Sequence, residues 1–196
     1  MNNKLDIFRI KTNNMSPQKG RILIAEPFLS GSYFNRSVVL LAAFSEKGAV
    51  GFILNKKVEV SVQDILPDFP EFSGQIYLGG PVATDSVYFI HKLGDKLPGS
   101  IHVLGELYWG GDFEELKRQI NSGLINPADI RFFLGYSGWD AGQLERELKE
   151  DSWLVNNVEQ QTVMRELNQD SWFDFVKKVG RRYKVWENFP ENPSLN

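Results

Sequence analysis

The chain has 196 residues, 42% of them hydrophobic and 24% charged, with a net charge of −3. That balance suits one compact domain with a sizeable core and excludes a coiled coil, a disordered chain or a surface built throughout to grip nucleic acid. Cysteine is absent, which excludes disulfides, thiolate nucleophiles and cysteine-held zinc or iron–sulfur centres.

The opening MNNKLDIFRIKTNN lacks the apolar centre of a signal peptide, and no apolar run approaches the roughly 18 residues that cross a bilayer. A cytoplasmic protein without membrane contact is expected. Its polar lead covers residues 1–15, and LDIFRI within it adds a strand or helix. Ser16-Pro17 and Gly20 then punctuate the entry to the domain.

GRILIAEP reads as a buried strand stopped by Pro27, and RSVVLLAAF and GAVGFILN as two more. Only SEKG separates the latter two, so Val38–Phe44 and Ala49–Asn55 are predicted to pair antiparallel. VSVQDILPDF is a short helix capped by Ser61 and stopped by Pro67. QIYLGG, SVYFIHKL and SIHVLGELYW follow as strands. In GGDFEELKRQINSGL, Asp112 and Glu115 write a capping box, Phe113, Leu116 and Ile120 share a face, and Gly123 ends the helix.

IRFFLGYSGW is the last strong strand pattern. Phe132–Leu134 are expected to finish it, Gly135–Trp139 to turn, and Asp140 to cap a helix reaching about Asp151, with Gln143 completing a second box. SWLV packs or forms a short strand, and one final helix over MRELNQDSWFDFVKKVG ends at Gly180. The link between Phe44 and Ala49 is too short for a crossover helix. The reading is therefore an α+β fold with a mixed, largely antiparallel, strongly curved sheet flanked by helices. It forms one domain over 1–196, with a core over about 20–155 and a helical segment over 156–196.

GRILIAEPFLSGSYFNRSVVLLAAF, GAVGFILNK, YLGGPV and RFFLGYSGWDAGQLERELKEDSWL, taken in order, resemble the YqgE/AlgH family of bacterial proteins. The closing FPENPSLN is similar to the carboxyl end of many members. The resemblance implies a bifurcated, partly barrel-like sheet flanked by helices. It implies no catalytic residues, since no mechanism is established for the family. Some members are called transcriptional regulators because of a link to alginate production. The motif positions it transfers are Arg36 and Ser37, Gly79, Gly80 and Pro81, and Gly135 to Gln143.

Three groups of residues are candidates for function. Tyr136, Gly138 and Trp139 offer a small cleft with aromatic walls, joined by Arg36 as an anion clamp and the Gly79-Gly80 bend. The alternative is architectural: glycines for a tight turn, Trp139 for packing and Asp140 for capping. KKVGRRYK places Lys177, Lys178, Arg181, Arg182 and Lys184 together without an acid, among Trp172, Phe175, Tyr183 and Trp186. This combination suits DNA or an acidic protein partner; the alternative is a solvated helix end over core aromatics. Ser30, Ser32, Ser37 and Ser137 are conceivable nucleophiles with His91 or His102 as base. Yet GxSxG does not occur, and His91 is expected to point outward. Neither histidine stands in a ligand spacing, so no metal and no cofactor are expected. The functional expectation is a non-catalytic binding protein with a role in transcriptional regulation. A ligand-binding protein or enzyme using Gly135–Asp140, or a protein-interaction module, is the alternative.

Overall fold

The computed structural model describes residues 15–29 and 31–189. The expected element in LDIFRI, the candidate Ser30 and the PENPSLN tail lie outside them. No helix of the described residues is long and apolar enough to cross a membrane.

Apolar side chains on both faces let the early strands feed two cores by simple alternation. In β1 (Ile22–Ala25), Ile22 and Ile24 join one cluster while Leu23 and Ala25 join another. In β2 (Val38–Ser45), Val38, Leu40 and Ala42 oppose Val39 and Leu41 in the same way. The expected hairpin forms between β2 and β3 (Gly48–Ile53). Next come β4 (Lys57–Val58), α1 (Val62–Ile65), β5 (Ile76–Leu78) and β6 (Val82–His91). Ser61 and Asp64 cap α1 with a complete reciprocal box.

The SIHVLGELYW segment holds two strands rather than one, β7 (Ile101–Leu104) and β8 (Leu107–Trp109), reversed at Gly105 in the left-handed region. α2 (Phe113–Asn121) starts at Asp112, whose carboxylate accepts the Glu115 N–H. The return half of the expected box is diverted, because the Glu115 carboxylate takes donors from Arg118 and Gln119.

The largest departure lies in β9, which runs unbroken from Ile130 to Asp140. Gly135 to Trp139 is therefore strand, not turn. Ser137–Asp140 find backbone partners in Gly51–Gly48 of β3, and that pairing outcompetes a turn. Gly135, at φ +65°, bends the strand without ending it; a Cβ there would lie 2.6 Å from the Val82 carbonyl. The following helix α3 (Gln143–Lys149) starts at Gly142 in the left-handed region, so Asp140 is not its cap. Gln143 still accepts the Asp140 N–H at 3.0 Å.

SWLV becomes β10 (Trp153–Asn156), paired with β1. The expected final helix is shortened to α5 (Ser171–Val179), and a separate short helix, α4 (Gln160–Met164), precedes it. Arg165 is extended, Leu167 is drawn into the core, and Asn168 accepts the Ser171 N–H, so helical pairing stops between them. A 3₁₀ segment, Arg181–Asn188, follows Gly180.

The ten strands make an open, mixed sheet in the order β10-β1-β2-β3-β9-β6-β8-β7, with β4 and β5 off that path. Its bifurcation is β9 itself. The first half pairs antiparallel with β6 and parallel with β5; the second half pairs with β3. Phe132, Phe133 and Trp139 accordingly enter three separate apolar clusters. α1 and α2 cover one, α4, α5 and the 3₁₀ segment another, and α3 the third.

Candidate functional site

Residues three and four apart make α5 two-faced. Trp172, Phe175 and Val176 are buried, while Lys177 and Lys178 face solvent. The 3₁₀ repeat continues the pattern: Tyr183 and Trp186, three apart, turn inward, while Arg181, Arg182 and Lys184 stay exposed. Trp172 and Trp186 stack at 6.3 Å with planes 4° apart, and the Trp172 indole donates to the Ala25 carbonyl at 3.0 Å. Trp172, Phe175, Tyr183 and Trp186 thus anchor the segment to the sheet instead of standing out beside its five cations. Lys177 lies 4.0 Å from Glu187, and Arg182 lies over the Tyr183 ring at 4.6 Å.

Arg36 belongs to this same region. It is 4% exposed, with its guanidinium 5.4 Å from the Trp172 ring and 4.9 Å from Phe173. It donates to the Phe189 carbonyl at 2.5 Å. Arg36 thereby ties the FNRS loop to α5 and the end of the 3₁₀ segment.

Gly79 and Gly80 instead press against β9. A Cβ on Gly79 would stand 2.1 Å from the Gly135 carbonyl, and one on Gly80 2.3 Å from that of Tyr136. Ser137, fully buried, donates to the Gly79 carbonyl at 2.9 Å. Tyr136 meets Tyr88 edge-on at 5.4 Å. Tyr136, Gly138 and Trp139, with Lys47, Asp140 and Gln143, border a shallow groove of about 480 Å³. The indoles of Trp139 and Trp153 both donate to one oxygen of Glu147 at 2.8 Å.

His91 does not point outward; it is completely buried. Its Nδ1 accepts the Leu93 N–H at 3.1 Å, so the ring proton sits on Nε2, which donates to the Gly110 carbonyl at 2.9 Å. The Ser100 hydroxyl stands 3.1 Å from Nε2 but donates to the Leu97 carbonyl at 2.6 Å. A protonated Nε2 cannot take the Ser100 proton, so this pair is structural. Burial pulls the His91 pKa below its ordinary value. His102 is exposed and contacts the Gly105 carbonyl. Ser32 is exposed and Ser37 buried. Among the described residues, no group of three or more His, Asp or Glu is placed to hold a metal.

Sequence reasoning passed over Arg131, the one charge inside the apolar run IRFFLG. It is 3% exposed, lies 4.0 Å over the Tyr77 ring, and donates to the carbonyls of Val163 at 2.7 Å and Arg165 at 2.6 Å. A lone cation in a buried strand is the signal that would have found it.

Comparison with known proteins places these features in a family. The model of a family described as AlgH-like matches residues 22–184. A UPF0301 protein of Bacteroides thetaiotaomicron is 44% identical over 197 residues, covering all of both chains. One from Parabacteroides distasonis is 44% identical, covering 97% of this chain and 98% of its own. The solution structure of the AlgH protein from Pseudomonas aeruginosa, 26% identical, superposes with a TM-score of 0.70 over 91% of this chain and 98% of its own. A crystal structure of a Corynebacterium diphtheriae protein, 23% identical, shares the fold at a TM-score of 0.71 over 92% of this chain and 95% of its own. The chain belongs to the AlgH-like family, the YqgE/AlgH group that its motifs resemble.

Proposed function

We propose that this is a cytoplasmic, non-catalytic binding protein that acts in the control of gene expression by holding a polyanion, nucleic acid first among them. One observation carries the reading: five cations stand exposed on one acid-free stretch, Lys177–Lys184, whose aromatics are anchored beneath it. Such an element contacts phosphates by charge and not by stacking bases on Trp172, Phe175, Tyr183 or Trp186, which are held in the core. The hydrogen-bonded state of His91 further supports a role without acid–base catalysis at that residue.

The test is fluorescence anisotropy with a labelled mixed-sequence duplex between 50 and 200 mM NaCl. If about four phosphates are neutralised, log K should fall against log salt with a slope of about −3 to −4. Replacing Lys177, Lys178, Arg181 and Arg182 by Gln should weaken binding and flatten that slope. Absence of binding at low salt, or binding unchanged by the four replacements, rules the reading out.

The groove beside Tyr136 and Trp139 favours a second reading, a small-molecule binder. Native mass spectrometry of freshly purified protein checks it: a co-purifying metabolite lost on Trp139→Ala supports it, and a clean apo mass opposes it.

A further inference from the structure

The basic stretch ends at Lys184, and the first acid after it, Glu187, returns to the stretch's beginning. After Gly180 the chain doubles back, so that Trp186 stacks on Trp172, with Tyr183 buried beside it. Glu187 follows Trp186 inward. Its side chain is only 20% exposed, and its Oε2 lies 4.0 Å from the Lys177 ammonium. Lys177 is the only cation within that distance of Glu187 among the described residues.

Fold stability does not account for an acid in this place. The other carboxylate oxygen, Oε1, is buried and accepts no hydrogen bond among the described residues. A carboxylate oxygen withdrawn from water without a donor is destabilising. The ion pair returns little, because it is long and its lysine side chain is 53% exposed. What the acid does achieve is electrostatic. It sets one negative charge against one end of a surface that otherwise presents cations, and it engages one of the five.

We infer that Glu187 is a built-in competitor for the polyanion surface, an autoinhibitory contact that holds Lys177 until a phosphate draws it away. It limits affinity and does not serve the fold. Ligands whose charge is dense enough to win Lys177 gain one contact more than sparsely charged ones. The inference rests on the polyanion reading and names a restraint on that same surface.

The experiment is the labelled-duplex salt titration carried out on the full chain with Glu187→Gln. Freeing Lys177 should tighten binding about threefold to tenfold at low salt and steepen the slope of log K against log salt by about 0.9, the release that one further phosphate contact gives. The melting temperature should hold or rise, because a neutral amide leaves water at less cost than a carboxylate. Glu187→Met, which leaves no carboxylate or amide to satisfy, should behave alike. Two comparisons isolate the mechanism. Asp174→Asn removes the same charge from an exposed position on α5 and should leave the slope unchanged. In a Lys177→Gln chain, Glu187→Gln should no longer steepen it. The inference is overturned if the wild-type protein binds and Glu187→Gln binds no tighter, or if the slope steepens equally without Lys177 or with Asp174→Asn. It also falls if both Glu187 variants melt well below the wild type, which makes the pair a structural pin. Absence of binding by wild type and variants alike sinks the polyanion reading together with this one.

Discussion

Glu147 shows how much one side chain organises. Its Oε2 accepts both the Trp139 and Trp153 indoles, and its Oε1 accepts the Gln143 amide, each at 2.8 Å. Both indoles belong to buried residues, so removing the shared acceptor leaves two donors without their partner. Glu147→Ala should therefore destabilise by about 2–4 kcal/mol in urea denaturation, with a shift in tryptophan emission. His91 makes a prediction about pH. Its folded pKa lies below its unfolded value, so its stabilising contribution is present above about pH 6.5. As pH falls, the unfolded chain takes a proton that the folded chain refuses, and stability is lost. The stability difference between pH 7 and pH 5 should be smaller in His91→Gln than in the wild-type protein.

Among the elements, β9 marks how far local patterns carry. The β2–β3 hairpin, the Ser61 and Asp112 caps and the stop at Gly180 were legible because neighbouring residues decide them. Gly135 to Trp139 was not, because its conformation is decided by Gly48–Gly51, far away in the chain. The same limit hid Arg131, whose acceptors lie on α4 and the residue after it. The exposed cations of the candidate basic site were readable from composition. Arg36 was singled out, but its seat against α5 and the end of the 3₁₀ segment is a long-range contact that no spacing shows. Close approach at the bend yields a clear contrast. Gly79→Ala forces a methyl into the Gly135 backbone and should cost about 3 kcal/mol or more, since neither strand can retreat. Gly123→Ala, at φ +70° but facing open space, should cost only about 1 kcal/mol. Thermal denaturation of the pair distinguishes steric exclusion from conformational preference.

At the scale of the molecule, the basic segment is part of the core that carries it. Trp172, Phe175, Val176, Tyr183 and Trp186 sit in the same cluster as Ile22, Leu40, Phe52 and Phe133. Trp172→Ala should cost about 3–5 kcal/mol and expose apolar surface to a dye such as ANS. Its effect on polyanion binding should follow the fraction folded, unlike the charge replacements, which should leave stability nearly unchanged.

The shared central strand also dictates when this molecule can assemble during synthesis. β1 finds its outer neighbour only in Trp153–Asn156, and β3 and β6 both wait for Ile130–Asp140. Until that stretch clears the ribosome, roughly the first two-thirds of the nascent polypeptide holds greasy strands with unmatched edges, a window in which chaperone occupancy should be highest.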